Sequence, residues 1–565
     1  MANISRQKIM AGNLSAKYAK ELKKMTASGF ITDVLEQNSG LFGKRGKAFE
    51  EQIVSRLGWT DVVRLMQPQV ERMGRLVEQV KESGAEHLFV LGMGGSSLCP
   101  EVFGKVFGKQ SWLKSFNIVD TTAPSQMESI MRTLDPLKGF YIVASKSGTT
   151  IETLSQFRYF FRMLKDLRPL KAGNFFAAIT DEYSELYRMA RRNRFCEVFN
   201  NPEDIGGRYS ALSFFGLVPG AFTKMNLTGL LKTAEEFLDK MEDAPEKNDA
   251  LELGTLMGVS ANAGRDKLRF AASKKTAPFI PWIEQLVAES TGKRGKGIIP
   301  IEGEEKGVQA DFSNDGLFVY YSMGDKPSKA PKPSSKIPAV EIKMPDSSSL
   351  GAEILKWEMA TAVASSIMGV NPFDEPNVTE SKQNTAMLLK GPRGPRKVVV
   401  VEPMYDYSNM SIVTAEGITG LGKQKPEPDK LLSSFINGMD KGDYLSLLCY
   451  TEMSPAVEKK LAMIREYLGD KFKITTLRGY GPRYLHSIGQ LYKGGPQKGH
   501  FIIFEREYEF DYEIPKMRIT FERLIRAQAK GDLLALRKRK RPIITVNLKT
   551  NPATGLAQFL NLLKR

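Results

Sequence analysis

The stretch GFYIVASKSGTTIETLSQFRYFFRMLKD (Gly139–Asp166) contains a strand, a loop and a helix in immediate succession. Its first residues are mostly apolar, and its second half repeats apolar residues at helical spacing. Small polar residues and one glycine separate the two halves. Because parallel strands need a crossover between them, a strand followed by an amphipathic helix is the building unit of a parallel sheet. The stretch therefore predicts an α/β fold.

The same alternation of strand and helix continues on both sides of this stretch. Between residues 85 and 200 the further strand patterns are HLFVLG, SFNIVDT, NFFAAITD and FCEVFN. They predict a mainly parallel, doubly wound sheet flanked by helices. After about residue 250 the alternation starts again. The strands predicted there are DKLRFAASK, GLFVYYSMGD, RKVVVVEP, GDYLSLLCY, KGHFIIFERE and RPIITVNLKT.

These patterns divide the chain into predicted regions. An N-terminal helical segment covers residues 1–80, a first α/β domain 81–250, a second α/β domain 251–400, and a C-terminal α/β extension 401–565. We expect the extension to pack with the second domain. Within that domain, KPSKAPKPSSKIP (Lys326–Pro338) is rich in Lys, Pro and Ser and predicts an exposed loop.

The charge balance is basic. The 565 residues include 81 Lys and Arg against 64 Asp and Glu, which gives a net charge of +17. Such a charge suits an anionic substrate or nucleic acid. The densest basic run, LRKRKRP (Leu536–Pro542), is short, and most other cations are scattered, which favours a solvated basic surface. We therefore expect no nucleic-acid partner.

Cysteine is scarce. The chain has three cysteines, Cys99, Cys196 and Cys449, whose number and spacing predict neither a disulfide framework nor a metal site. A reducing, cytoplasmic location is the simplest expectation. The N-terminal residues show no secretory signal, and no apolar run approaches the ~20 residues of a membrane span.

Two loops combine small residues at the end of a predicted strand with a following helix. In LGMGGSSLCP (Leu91–Pro100), glycines allow backbone N–H groups to approach an anion, although a purely structural turn has the same composition. SKSGTTIET (Ser145–Thr153) offers hydroxyls and one lysine before a helix N-terminus, which suits a phosphate group. A helix cap needs only one hydroxyl, so the phosphate interpretation is favoured. Ligands of open α/β sheets bind at these strand ends.

Two further motifs bring candidate catalytic charges. In GGRYSALSFFGLVPGAF (Gly206–Phe222), Arg208 could stabilise developing negative charge, or form a surface ion pair. In WIEQLVAES, Gln285 and Glu289 lie four residues apart and share one helix face, where a partly buried glutamate could act as a base. The alternative is an ordinary charge at a helix end, followed by the dipole-complementing cations Lys293 and Arg294.

Histidine is also scarce, which limits the candidates for an imidazole. The three histidines are His87, His486 and His500. His486 stands in LHSIGQLYKGGP (Leu485–Pro496), near glycines and a lysine. An isolated histidine is more often structural than catalytic, so this motif alone decides nothing.

Taken together, the motifs resemble the phosphoglucose isomerase (glucose-6-phosphate isomerase) family. LGMGGSSLCP, SKSGTTIET, GGRYSALSFFGL, ESTGK and FDEPNVTESK occur in that family's order. The longer stretches WEMATAVASSIMGVNPFDEPNVTESK and LHSIGQLYKGGP are most similar to the isomerase half of transaldolase–phosphoglucose isomerase fusion proteins. The first ~80 residues are too few for a transaldolase barrel, so that second activity is not predicted.

The resemblance implies a fold and a reaction. The fold is two sugar isomerase (SIS) domains, each a mainly parallel sheet flanked by helices. The reaction interconverts glucose 6-phosphate and fructose 6-phosphate in glycolysis and gluconeogenesis, through ring opening and a cis-enediol, without a metal or cofactor. Sugar phosphates would be the small-molecule partners, and a homodimer is an expected assembly.

The resemblance also implies roles for individual residues. Glu289 matches the base that moves a proton between C2 and C1, Arg208 the arginine that stabilises the enediolate, and Lys382 the lysine that helps to open the sugar ring. The positions that match substrate and phosphate contacts are Gly95, Ser96, Ser145, Lys146, Ser147, Thr149, Thr150 and Gln285.

One departure from the family concerns the ring-opening histidine. In ordinary members it lies between the glutamate and the lysine, and the partner subunit supplies it. Between Glu289 and Lys382 this sequence has no histidine. His486 is assigned the role because its segment is similar to the family's histidine segment. His87 is the less suitable candidate, since it precedes the strand that leads into the glycine turn. We expect the C-terminal extension to supply His486 within one chain.

Two rival functions remain open at this point. A related SIS isomerase could act on both glucose and mannose phosphates. A non-catalytic SIS protein could sense sugar phosphates, but it would be expected to lack the base, whereas Glu289, Arg208 and Lys382 are all present.

Overall fold

The computed structural model describes residues 4–38, 40–42, 46–133, 135–302, 314–324, 334–390, 402–417, 426–549 and 551–565. They form two compact units. The first unit comprises Met1–Asp120 and Leu134–Glu375, and the second comprises Thr121–Thr133 and Pro376–Arg565. The predicted domain boundaries at residues 80, 250 and 400 remain predictions.

The first sheet of the first unit is parallel throughout. Its strands are β2 (His87–Gly92), β3 (Ser115–Val119), β4 (Gly139–Ala144), β5 (Phe176–Thr180) and β6 (Glu197–Asn200), in the order β3-β2-β4-β5-β6. Helices α6 (Gly95–Phe107), α8 (Ile151–Leu167), α9 (Glu185–Arg192) and α10 (Phe214–Ala221) follow these strands. The predicted α/β alternation between residues 85 and 200 is confirmed.

The second sheet of the first unit is parallel except at one edge. Its strands are β1 (Arg6–Met10), β7 (Lys267–Ala272), β8 (Ile299–Ile301), β9 (Gly316–Met323) and β10 (Ala339–Met344), in the order β1-β10-β9-β7-β8. Strand β1 pairs antiparallel with β10. It is an exception to the predicted helical N-terminal segment. A short edge strand of mixed polarity is stabilised by pairing with residues far along the chain, so the local sequence pattern does not predict it.

The remaining helices of the first unit surround these sheets. They are α1 (Ser15–Ala27), α2 (Phe30–Leu35), α3 (Lys47–Val54), α4 (Val62–Met66), α5 (Val70–Glu82), α11 (Leu227–Asp243), α12 (Asp249–Asn262), α13 (Ile280–Thr291) and α14 (Leu350–Met368). Helix α14 is buried along nearly its whole length. Its buried side chains include the charged residues Glu353, Lys356 and Glu358 as well as the apolar ones.

The second unit has its own mixed sheet. Its strands are β11 (Tyr405–Asp406), β12 (Met410–Glu416), β13 (Tyr444–Tyr450), β14 (Thr475–Tyr480), β15 (Gly499–Arg506) and β18 (Ile543–Leu548), in the order β11-β12-β18-β15-β13-β14. The last four in that order are parallel, and β12 runs antiparallel to β18. A hairpin adds β16 (Glu513–Ile514) and β17 (Ile519–Thr520).

The helices of the second unit are α7 (Pro124–Thr133), α15 (Val378–Lys390), α16 (Pro428–Asn437), α17 (Pro455–Phe472), α18 (Gly489–Gly494), α19 (Phe521–Lys538) and α20 (Pro552–Leu563). The strands predicted from GDYLSLLCY, KGHFIIFERE and RPIITVNLKT are confirmed as β13, β15 and β18. The predicted strand RKVVVVEP and most of the predicted loop Lys326–Pro338 lie outside the described residues. Within the described part of the chain, no helix is both long and apolar enough to span a membrane.

Helices α12 and α14 pack closely because α12 has a glycine at the crossing. A Cβ on Gly254 would lie 2.4 Å from the carbonyl oxygen of Ala360 and 2.6 Å from the Cβ of Val363. No carbon atom fits at that distance without movement of the backbone. Gly254 is therefore required by packing.

Gly254→Ala tests this packing. We expect the substitution to lower the free energy of unfolding by roughly 1–3 kcal/mol, since α14 must move away from α12. Urea-induced unfolding followed by circular dichroism measures the change. Gly74→Ala is the matched control, because Gly74 lies in α5 with no atom within 4 Å of the added Cβ. That control should stabilise the protein by roughly 0.5–1 kcal/mol, and equal losses in both variants would contradict the packing argument.

Candidate active site

The glycine turn after β2 lies against the loop that carries Arg208. Gly94 has a φ of 58°, and α6 begins at the next residue, Gly95. A Cβ on Gly95 would lie 1.9 Å from the carbonyl oxygen of Gly207. Any side chain at Gly95 would therefore displace the loop, so this glycine allows a close backbone approach. Ser96 follows in the first turn of α6 and is half-buried.

The hydroxyl-rich loop after β4 forms hydrogen bonds within itself. Ser145 Oγ lies 2.9 Å from Thr150 Oγ1, and Ser147 Oγ lies 2.9 Å from Thr149 Oγ1. Thr150 is the N-cap residue of α8, yet its side chain makes no capping hydrogen bond. These hydroxyls therefore do not act as an ordinary helix cap. They surround the positive end of the α8 dipole, which is a favourable place for an anion.

Lys146 in the same loop is anchored by two oxygen atoms. Its Nζ donates to Asp181 Oδ2 at 2.8 Å and to the carbonyl oxygen of Glu203 at 2.7 Å. Burial raises the pKa of Asp181, although the neighbouring Lys146 opposes that shift. The side chain of Lys146 is thus held in place by Asp181 and by the backbone of Glu203.

Arg208 is buried rather than on the surface, with its side chain 5% exposed. Its Nε donates to Ser290 Oγ at 3.0 Å, and its Nη2 donates to the carbonyl oxygens of Pro372 at 2.5 Å and Asp374 at 2.9 Å. Its Nη1 lies 3.1 Å from Glu375 Oε2. This network excludes the alternative of a surface ion pair.

Glu289 is also buried and lies beside this guanidinium. Its side chain is 9% exposed, and its Oε2 lies 3.6 Å from Arg208 Nη1. Gln285, one turn earlier on α13, donates from Nε2 to Glu289 Oε2 at 3.4 Å. Burial opposes the positive charge of Arg208, but Glu375 and Glu289 outweigh it and raise the pKa of the guanidinium. The alternative of a surface charge at the helix end is excluded for Glu289.

Lys293, which follows the same helix, is buried as well. Its Nζ donates to the carbonyl oxygen of Asn371 at 2.5 Å and lies 2.8 Å from Asp374 Oδ1. Burial, together with the nearby positive charge of Arg208, lowers the pKa of Lys293 to about 7. The sequence analysis treated Lys293 and Arg294 alike, as cations that complement the helix dipole, but only Arg294 is exposed.

Arg208, Lys146 and Glu375 border a cleft in the first unit. The lining residues are Arg56, Lys146, Gly206, Gly207, Arg208, Tyr209, Phe373 and Glu375. Burial alone would raise the pKa of Glu375, but Arg208 and Lys293 hold it below its usual range. Glu375 therefore carries a negative charge in an otherwise cationic cleft.

The other two predicted catalytic residues belong to the second unit. Lys382 is an exposed residue of α15, and His486 is half-buried in the turn between β14 and α18. His87 stands at the first position of β2, with Nδ1 2.8 Å from Ser115 Oγ. His500 lies near the start of β15, with Nε2 2.9 Å from Asp443 Oδ2. The roles of Lys382 and His486 remain predictions.

Comparison with known proteins adds to this geometry. The model of the phosphoglucose isomerase family matches residues 52–312, which include the glycine turn, the hydroxyl loop, Arg208 and Glu289. Residues 52–312 are therefore similar to the phosphoglucose isomerase family. Among the described residues, no group of three or more His, Cys, Asp and Glu side chains could hold a metal ion.

Several curated relatives are glucose-6-phosphate isomerases. That of Clostridium novyi is 26% identical over 403 residues, which are 60% of this chain and 87% of the relative. That of Clostridium tetani is 25% identical over 440 residues, which are 67% of this chain and 94% of the relative. A probable glucose-6-phosphate isomerase of Methanococcus maripaludis is 25% identical over 68% of this chain and 96% of the relative.

Two solved structures share the fold. A hypothetical protein from Thermus thermophilus aligns with a TM-score of 0.57 at 22% identity, over 68% of this chain and all of that one. A glucose-6-phosphate isomerase from Chlamydia trachomatis aligns with a TM-score of 0.57 at 17% identity, over 69% of this chain and 89% of that one. The predicted α/β fold is confirmed.

Sequence reasoning missed some residues around the candidate site. Arg56 lies in the N-terminal segment outside any motif, so no local signal marked it. Glu375 stands inside the quoted motif FDEPNVTESK, and its charge within the motif was the signal that could have singled it out. Lys293 was noticed but was interpreted only as a cation that complements the helix dipole.

The lowered pKa of Lys293 predicts a pH-dependent stability. Between its folded pKa of about 7 and its ordinary value of 10.5, the unfolded state binds more protons, so stability rises with pH. From pH 7 to pH 9, the unfolding free energy of the wild type should rise by roughly 2 kcal/mol relative to Lys293→Met. Urea titrations at each pH measure this difference. Lys296→Met, at an exposed lysine nearby, controls for the lost charge, and a pH-independent difference would contradict the prediction.

Proposed function

We propose that this protein interconverts glucose 6-phosphate and fructose 6-phosphate as an aldose–ketose isomerase. The observation that carries the proposal is the buried pair of Glu289 and Arg208, 3.6 Å apart, beside the cleft. A base and a cation are what the transfer of a proton next to a carbonyl group requires. The match of residues 52–312 to the phosphoglucose isomerase family model and the names of the curated relatives support the same reaction.

The proton transfer follows from the position of Glu289. The carboxylate removes the proton from C2 of the open aldose, and the electron pair of the broken C–H bond forms a cis-enediolate. Arg208 stabilises the negative charge that develops on oxygen. Return of the proton from Glu289 to C1, with a proton shift between the two oxygens, gives the ketose. Gln285 keeps the carboxylate oriented through its hydrogen bond.

The phosphate group would bind at the hydroxyl loop. The N-terminus of α8 favours an anion, and the loop adds hydroxyl donors and the cation of Lys146. The residues proposed to contact phosphate are Ser145, Lys146, Ser147, Thr149 and Thr150. Gly95 and Ser96 would approach the sugar from the glycine turn. Binding the non-reacting phosphate in this way positions the reacting carbons.

Ring opening is assigned to the second unit. We propose that Lys382 and His486 move the proton between the ring oxygen and the C1 or C2 hydroxyl. We also propose that His486 serves its own chain, whether or not the protein forms a homodimer. A cytoplasmic location fits a reaction on soluble sugar phosphates.

Glu289→Gln tests the assignment of the base. The substitution keeps the shape of the side chain and removes the proton acceptor, so kcat with fructose 6-phosphate should fall roughly 10²–10⁴-fold. A coupled assay of glucose 6-phosphate formation measures it. Glu284→Gln changes the neighbouring carboxylate on α13 and should retain activity. A folded Glu289→Gln enzyme with unchanged turnover refutes the assignment.

A mixture of two inactive variants tests which chain supplies His486. His486→Ala and Glu289→Ala chains are unfolded together, refolded and assayed with fructose 6-phosphate. Because both residues are proposed to act within one chain, the mixture should stay as inactive as each variant alone. Recovered activity would show that the sites are shared between subunits.

A further inference from the structure

A buried carboxylate of the second unit collects donors from three chain segments. Asp532 lies on α19, and its side chain is 1% exposed. Its Oδ1 lies 2.6 Å from Lys493 Nζ and accepts a hydrogen bond from Ser381 Oγ at 3.3 Å. Its Oδ2 accepts a hydrogen bond from Tyr484 OH at 2.5 Å. None of these residues has a role in the proposed reaction.

The donors stand next to the two residues proposed to open the ring. Ser381 directly precedes Lys382 on α15, and Tyr484 is two residues before His486 in the same turn. Lys493 belongs to α18, which follows that turn. Asp532 therefore joins the chain segment of Lys382 to the chain segment of His486 through its two oxygen atoms.

Other contacts hold the same segments to one another. A Cβ on Gly531 would lie 2.7 Å from Thr385 Oγ1, so α15 and α19 approach closely beside Asp532. Asn377 and Gln490 exchange two hydrogen bonds, from the Asn377 backbone N–H at 3.0 Å and from Gln490 Nε2 at 2.8 Å. The beginning of α15 is thus tied to α18 a second time.

A buried ion pair of this kind contributes geometry more than stability. Replacement of such pairs by apolar residues is often neutral or stabilising, because the desolvation of both charges offsets their attraction. The carboxylate instead fixes the positions of its partners, since a hydrogen bond forms only when the donor lies at the right distance and angle. Catalytic side chains need such support to hold their positions.

We infer that Asp532 is a positioning residue that holds Lys382 and His486 in register for ring opening. It touches no reacting atom and acts through Ser381, Tyr484 and Lys493. This inference rests on the proposed function. It predicts that loss of Asp532 affects substrates that must open a ring and spares those that are already open.

The first unit contains a matched control cluster with the same chemistry. Glu353 on α14 accepts hydrogen bonds from Ser5 Oγ and Tyr321 OH, and it pairs with Lys356 Nζ at 2.5 Å. Both charged side chains are fully buried. None of the four residues lines the cleft. Glu353→Gln therefore reproduces the loss of a buried carboxylate away from the proposed site.

The test compares Asp532→Asn with Glu353→Gln on two substrates. Fructose 6-phosphate closes a ring, whereas 5-deoxyfructose 6-phosphate lacks the hydroxyl that would close it. Incorporation of solvent deuterium at C1, followed by NMR, measures the proton transfer on both. We expect Asp532→Asn to lower kcat/KM for fructose 6-phosphate by up to about 100-fold, and to change the open analogue by less than about 3-fold. Glu353→Gln should affect both substrates equally.

Each outcome decides the inference. Equal losses on both substrates for Asp532→Asn, or no loss, overturn the positioning role while the proposed function stands. A wild type that exchanges neither substrate overturns the proposed function itself. If Asp532→Asn does not fold, Tyr484→Phe removes one donor and should show the same selective loss, with Tyr321→Phe as its control. Equal effects of those two tyrosine variants also overturn the inference.

Discussion

The burial of Arg208 is the constraint on which the candidate site depends. A guanidinium removed from water needs acceptors for its donors, because an uncompensated buried charge is strongly destabilising. Ser290 and the carbonyl oxygens of Pro372 and Asp374 supply them. Because Arg208 donates to these acceptors, its hydrogen bonds fix the end of α13 and the segment after α14 against the loop after β6. Glu289 thereby comes within reach of a cation that cannot move away.

Arg208 is shared between two carboxylates, and this sharing shapes its chemistry. Glu375 Oε2 is nearer at 3.1 Å, and Glu289 Oε2 lies at 3.6 Å. Because Glu375 neutralises part of the guanidinium charge, Glu289 is not locked in a tight ion pair. A carboxylate in a tight pair would be a weak base, since the cation stabilises its charged form. Glu289, the base proposed above, therefore lies beside a positive charge without being held in a tight ion pair.

Much of the fold and of the candidate site could be predicted from local sequence. The other features depend on contacts between residues that are distant in the chain. The spacing of Gln285 and Glu289 placed both on one helix face, and their hydrogen bond confirms that geometry. Strand β1 could not be found, because its partner β10 lies more than 300 residues away and its own pattern is that of any edge strand. The burial of Lys293 could not be found either, since its acceptors at Asn371 and Asp374 are distant in sequence.

Lys293 and Arg208 are two buried cations that interact with each other, and Arg208 lines the cleft. Burial, and after it the repulsion from Arg208, lowers the pKa of Lys293 to about 7. A sugar phosphate or an enediolate beside them adds negative charge where the interaction is least screened. Such a charge would offset the burial of both cations as well as their repulsion, which supports the proposed binding of an anion.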